Sequence, residues 1–209
     1  MGELILIRHG QTSWNKEVIF RGRADIELSS YGIKQAEVLA KRLKNRKIDK
    51  IYSSPLLRAY QTALIISKEH KLEVIKDFAF IDFCFGEWEG KKLDEVEKIY
   101  KDEIFLWKNH PEKFLAPKGE SLEDVRERVM PRIKEIVKVN ENILVVSHRV
   151  VLKVIILSLL NLPLKYFWNI KIDTCGMSIF EYENGRFILS LHNDTSHLEN
   201  LGYKDKIDF

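Results

Sequence analysis

The chain has 209 residues, and its 34 Lys and Arg side chains against 31 Asp and Glu leave a net charge of +3, a balance that argues against nucleic acid as a partner. Two widely separated cysteines, Cys84 and Cys175, argue against a disulfide framework or a cysteine zinc site and make a reducing cytoplasm the expected setting. No basic and apolar leader precedes the first strand, and the longest apolar stretch, Val150 to Leu162, carries Lys153 and is too short for a bilayer, so neither a signal peptide nor a membrane contact is expected.

The first strand starts at Leu4 and runs LILI into Arg8, His9 and Gly10. A short, wholly apolar run closed by glycine reads as a buried central strand, and Arg8 and His9 then emerge at its carboxyl edge, where ligands bind in open α/β sheets. In the loop that follows, Arg8, Lys16, Arg21 and Arg23 face only Glu17 and Asp25, which suits an anionic small molecule. Ser29 or Ser30 caps a helix with Ile33, Ala36, Leu39, Ala40 and Leu43 at helical spacing. Ile51 and Tyr52 form a short strand, Leu56 to Glu69 a second helix with Arg58 in its first turn, and Leu72 to Ile75 a third strand.

The stretch from about 77 to 118 is less regular, with FCFGEWEG, a helix from Leu93 to about Tyr100 and a turn near Pro111. It reads as an insertion over the strand ends within one domain spanning 1–209, since no flexible linker flanks it. Ser121 and Asp124 form a capping box for a helix to about Val139, in which Pro131 implies a kink or two abutting helices. NILVVS is a second buried strand and ends in His148; a buried helix from Val150 to Leu160 follows. Gly176 to Tyr182 and Phe187 to Leu191 form a hairpin through Asn184 and Gly185. The alternation predicts a three-layer α/β/α fold with a mainly parallel central sheet and an antiparallel edge.

Two buried strands thus end in histidines, each beside an arginine, Arg8 or Arg149, and can bring them to one sheet edge. Either histidine alone could simply end a strand. LILIRHGQTSWN, YSSPLLRAYQTA, FGEWEG, GESLEDVRERV, VVSH and NDTSHL, in that order over nearly the whole chain, resemble the histidine phosphatase superfamily, also called phosphoglycerate mutase-like. The phosphatase branch it resembles includes α-ribazole phosphatases and metal-independent phosphoserine phosphatases.

The resemblance implies a phosphohistidine on His9, phosphoryl oxygens held by Arg8, Arg58, His148 and Asn15, and neither a metal nor a cofactor. The acid opposite His9 is a glutamate in similar chains; here Asp82 stands there, one methylene shorter, with Glu87 in reserve. Arg21, Arg23 and Arg149 depart from the family pattern: Arg21 is a candidate contact for the phosphate or a substrate carboxylate, Arg149 either reaches the pocket or caps the helix after it, and Arg23, Trp88, Trp107, Trp168, His192 and His197 read as surface or structural residues. The expected partner is a small phosphate ester; relatives are monomers, dimers or tetramers, which leaves a homodimer open. Hydrolysis is favoured over a bisphosphate-dependent mutase reaction because no arginine lies between Trp88 and Leu122, where such mutases carry several. A non-catalytic phosphohistidine carrier would have no use for so full a pocket.

Overall fold

The computed structural model describes residues 2–16, 19–137, 141–183 and 185–202, leaving the side chains of Asn15 and Lys16 undescribed. Six strands form one sheet in the order β3-β2-β4-β1-β5-β6. They are β1 (Gly2–Arg8), β2 (Lys50–Ser53), β3 (Val74–Lys76), β4 (Ile143–Ser147), β5 (Met177–Glu183) and β6 (Arg186–Asp194). The four strands from β3 to β1 are mutually parallel, and β5 and β6 add an antiparallel edge.

The two central strands are apolar over Leu4–Ile7 and Ile143–Val146 because both of their faces are covered there. Leu4 and Leu6 of β1 join Ile143 and Val145 of β4 in one buried cluster, with residues of α5 (Leu122–Ile136) and α6 (Arg149–Leu159). Ile5 and Ile7 join Leu144 and Val146 on the other face, against α1 (Ser30–Leu43) and α2 (Leu57–His70). Alternate residues point to opposite faces of a strand, so a run with no polar residue is what this double coverage demands.

Ser29 caps α1 by accepting from the Gly32 amide at 3.0 Å. The Ser121–Asp124 capping box opens α5, and Pro131 lies inside that single helix, so two separate helices do not occur there. After α3 (Leu93–Ile99) the chain forms a further helix, α4 (Lys101–Asn109), which the sequence reading left out; only Ile104 and Trp107 are buried in it, too few to set a clear period. Phe83, Trp88, Trp107 and Phe114 from the 77–118 stretch belong to the same buried cluster as the α5–α6 face of the sheet. Among the described residues no helix is long and apolar enough to cross a membrane.

One group inside this core is costly. Lys153 of α6 is 4% exposed, with its ammonium 4.5 Å from the Phe167 ring centroid and 4.7 Å from that of Trp168. Burial first, then Arg149 and Arg8, bring its pKa down to about 6. An unfolded lysine holds its proton to a much higher pH, so the cost to folding is full below about pH 6 and fades as pH rises toward the unfolded value. Lys153→Met should therefore stabilise the protein by about 2 kcal/mol near neutral pH, and by less in alkali. Urea unfolding across pH tests this; a gain that grows with pH would contradict it.

Candidate active site

The register of β1 on β4 places the two histidines together. Arg8 lies opposite Ser147, so His9 and His148 are the next residues out of adjacent parallel strands, and their ring centroids are 5.2 Å apart. The His9 amide donates to the Ser147 carbonyl at 3.1 Å. Gly10 then turns against the start of α1: a Cβ there would meet the Gly32 carbonyl oxygen at 2.6 Å, and one on Gly32 would meet the Gln11 carbonyl oxygen at 2.0 Å. Only two glycines allow this approach.

The His9 Nδ1 atom is 2.7 Å from the Gly10 carbonyl oxygen. A carbonyl can only accept, so Nδ1 carries the proton and Nε2 keeps its lone pair. Burial, chiefly, and then the Arg58, His148 and Arg8 charges hold its pKa well below the usual imidazole value, against a raising contribution from the Gly10 bond. His148 is lowered in the same way, by burial and then by Arg58, Arg128, Arg8 and Arg21. Both rings are thus neutral near pH 7. The unfolded chain binds these protons and the native one does not, so their contribution to stability is present above the unfolded histidine pKa and is lost as pH falls below it.

Arg58, in the first turn of α2, is fully buried and ties three segments together. It donates to the Ala24 and Gly22 carbonyls, both at 2.8 Å, and to Asp82 Oδ2 at 2.7 Å. The other Asp82 oxygen accepts from the Phe83 amide at 2.8 Å. His148 Nδ1 faces Asp82 Oδ2 at 3.4 Å without closing a hydrogen bond, while its Nε2 lies 2.7 Å from Ser54 Oγ. Among the described residues, Arg58 Nε is a buried donor with no acceptor and His148 Nδ1 a buried ring nitrogen with no hydrogen-bond partner. Buried donors are nearly always paired, and an anion at this cluster is a partner that would satisfy Arg58 Nε. Arg8 Nη1 donates to the Ile172 carbonyl at 2.9 Å.

Arg8, His9, Arg21, Asp82 and Arg149 line one cavity of about 20 Å³, with Phe20 and Phe85 as its apolar wall. Arg58 and His148 are not in that lining but reach it through Asp82 and His9, and the Asn15 side chain lies outside the described residues. Glu87 stands apart: it pairs with Lys118 Nζ at 2.7 Å and accepts from the Tyr100 hydroxyl at 2.9 Å, and it does not line the cavity. Arg23 is outside the lining too, paired with Glu120 at 2.8 Å. Ser54 and Thr62 were missed. Ser54 sets the His148 ring, and Thr62 accepts from the Gly10 amide at 3.1 Å while donating to the Arg58 carbonyl at 2.8 Å. Trp88 and Trp107 are fully buried packing groups. His192 bonds to Ser178 Oγ at 3.2 Å, and among the described residues no His, Cys, Asp and Glu side chains gather into a group that could hold a metal ion.

Residues 4–195 match the model of the histidine phosphatase superfamily, branch 1. The chain belongs to this superfamily. Phosphoserine phosphatase 1 of Hydrogenobacter thermophilus is 38% identical to it over 200 residues, covering 95% of each chain. The 2,3-bisphosphoglycerate-dependent phosphoglycerate mutase of Methanococcus vannielii is 28% identical over 100% of this chain and 98% of its own length. Among solved structures, Bacillus stearothermophilus YhfR superposes with a TM-score of 0.91 at 30% identity, covering 95% of this chain and 100% of that one. Fold and family thus agree with the three-layer reading and with the motifs that suggested it.

Proposed function

We propose that the protein is a phosphomonoester hydrolase that works through a phosphohistidine on His9, without a metal ion, on small phosphorylated metabolites bearing a carboxylate. The observation that carries this reading is His9 itself, its proton fixed on the Gly10 carbonyl at 2.7 Å and its ring on the wall of a cavity with three arginines. Nε2 attacks phosphorus, and the bond to the ester oxygen breaks as Asp82 gives that oxygen a proton. Water then attacks the phosphohistidine and returns a proton to Asp82, releasing inorganic phosphate. Arg8, Arg58 and His148 stabilise charge on the phosphoryl oxygens throughout, and Asn15 is assigned the same task from the resemblance alone.

Asp82 Oδ2 is paired with Arg58 at 2.7 Å in the structure. A bound phosphoryl dianion competes with Asp82 for that arginine. Asp82 is preferred to Glu87 because it lines the cavity and Glu87 does not. Arg21 and Arg149 add positive charge to the lining beyond the groups assigned to the phosphoryl, and a carboxylate is the compact anion that suits them. Phosphoserine, the substrate in the name of the Hydrogenobacter relative, has this form. The two free cysteines support a reducing compartment such as the cytoplasm.

The mutase alternative has relatives in its favour. Against it stands the stretch between Trp88 and Leu122, which has no arginine to grip a second phosphate. A carrier needs an accessible histidine, and His9 is only 2% exposed. A phosphatase screen over phosphorylated metabolites in EDTA separates the readings. It should show hydrolysis of phosphoserine or 3-phosphoglycerate in preference to phosphate monoesters of uncharged alcohols; bisphosphate-dependent interconversion of phosphoglycerates as fast as hydrolysis would overturn the proposal.

A further inference from the structure

We propose that Arg128, anchored by Glu120, is a positioning residue that sets the reach of the Asp82 carboxyl toward the leaving group. The inference rests on Asp82 being the acid. Its side chain is short for the task, so the backbone that carries it has to be brought forward and kept there. Residues 81–85 form no helix or strand that could do so.

Arg128 comes from α5, a rigid element, and spreads its guanidinium over this segment. Nη1 donates to the Ala79 carbonyl at 2.6 Å, and Nη2 to the carbonyls of Ile81 at 2.9 Å and Asp82 at 3.3 Å. Its Nε donates to Glu120 Oε1 at 3.1 Å, so the plane of the fork is fixed from behind. Glu120 holds the far side of Asp82: its Oε2 accepts from the Cys84 amide at 2.9 Å, and its own amide donates to the Cys84 carbonyl at 2.9 Å. Arg23 completes the frame, pairing with Glu120 and approaching the Asp82 carbonyl at 3.4 Å.

Arg128 and Glu120 do not line the cavity. Their effect passes through the backbone, because Asp82 Oδ1 accepts from the next amide, Phe83, at 2.8 Å. That short bond locks the carboxyl to its own peptide plane. Any rotation of the 81–83 peptides therefore moves the acid, and a misplacement of about 1 Å can cost a catalytic group about a hundredfold.

The test is a double-mutant cycle read with two esters, p-nitrophenyl phosphate, whose leaving group needs no proton, and an alkyl phosphate, whose leaving group does. Arg128→Ala should slow kcat on the alkyl phosphate about tenfold or more, and change KM and the p-nitrophenyl rate by less than about twofold. In an Asp82→Asn background the same substitution should cause no further loss on the alkyl ester. Equal losses on both esters, or losses that multiply in the double variant, would show a structural role alone and overturn the proposal. If Arg128→Ala fails to fold, Arg128→Lys, which keeps the charge but loses the fork, and Glu120→Gln carry the same cycle with smaller effects. Should Asp82→Asn itself show no ester selectivity, the acid assignment fails and this inference with it, a result distinct from failure of the cycle.

Discussion

His9→Ala is expected to remove turnover, with a loss of about 10⁵-fold or more in kcat, and to do so equally in EDTA and in added divalent metal. Among the described residues that line the cavity, His9 is the one imidazole, and its proton is held on the other ring nitrogen. Substrate should still bind, since Arg8 and Arg58 are untouched. The wild-type enzyme should show the same dependence through pH: the ring must be neutral to attack, and its lowered pKa keeps it so under mild acid. The acid limb of kcat/KM should therefore lie below the ordinary imidazole pKa. Appreciable residual hydrolysis by the alanine variant, or its rescue by metal, would refute the nucleophile assignment.

Asp82→Asn is the second large effect. An amide cannot deliver a proton but keeps the oxygen that accepts from the Phe83 amide at 2.8 Å, so the fold should survive. Alkyl phosphates should slow by about 10²–10⁴-fold, and p-nitrophenyl phosphate by only a few-fold. Steady-state kinetics on the two esters suffice. Equal losses would move the acid elsewhere, and Glu87→Gln would then be the variant to make, although its ties to Lys118 and Tyr100 argue against it.

The parts of this site that rest on local pattern were legible before the structure. LILI and ILVV are apolar because both sheet faces are covered, and the residue after such a strand is at the carboxyl edge by geometry alone. Ser29 and the Ser121–Asp124 box announce their helices because capping is a bond between near neighbours. Other features were not legible, since they are meetings of distant segments. Ser54 against His148, Thr62 against Gly10, and Arg128 against the carbonyls of 79–82 have no mark in spacing. Arg23 is exposed, as its surface reading has it, and also holds Glu120, a pairing only the fold reveals because 23 and 120 are far apart in sequence. Pro131 left a kink or a break open; the structure answers with one helix. The choice between Asp82 and Glu87 likewise depended on which acid the loop turns inward.

The pairing of β1 with β4 also sets the order in which the site can be assembled. The two histidines belong to opposite ends of the chain, and β4 lies between β1 and β2 in the sheet although it is made long after both. During synthesis the first strand thus waits, apolar and unpartnered on that side, until residues beyond 143 arrive to slot in beside it. Parallel pairing across so long a loop is slow and entropically demanding. A chain ending before β4 would leave that strand edge exposed and lack His148, so the site is completed only when β4 is in place beside β1.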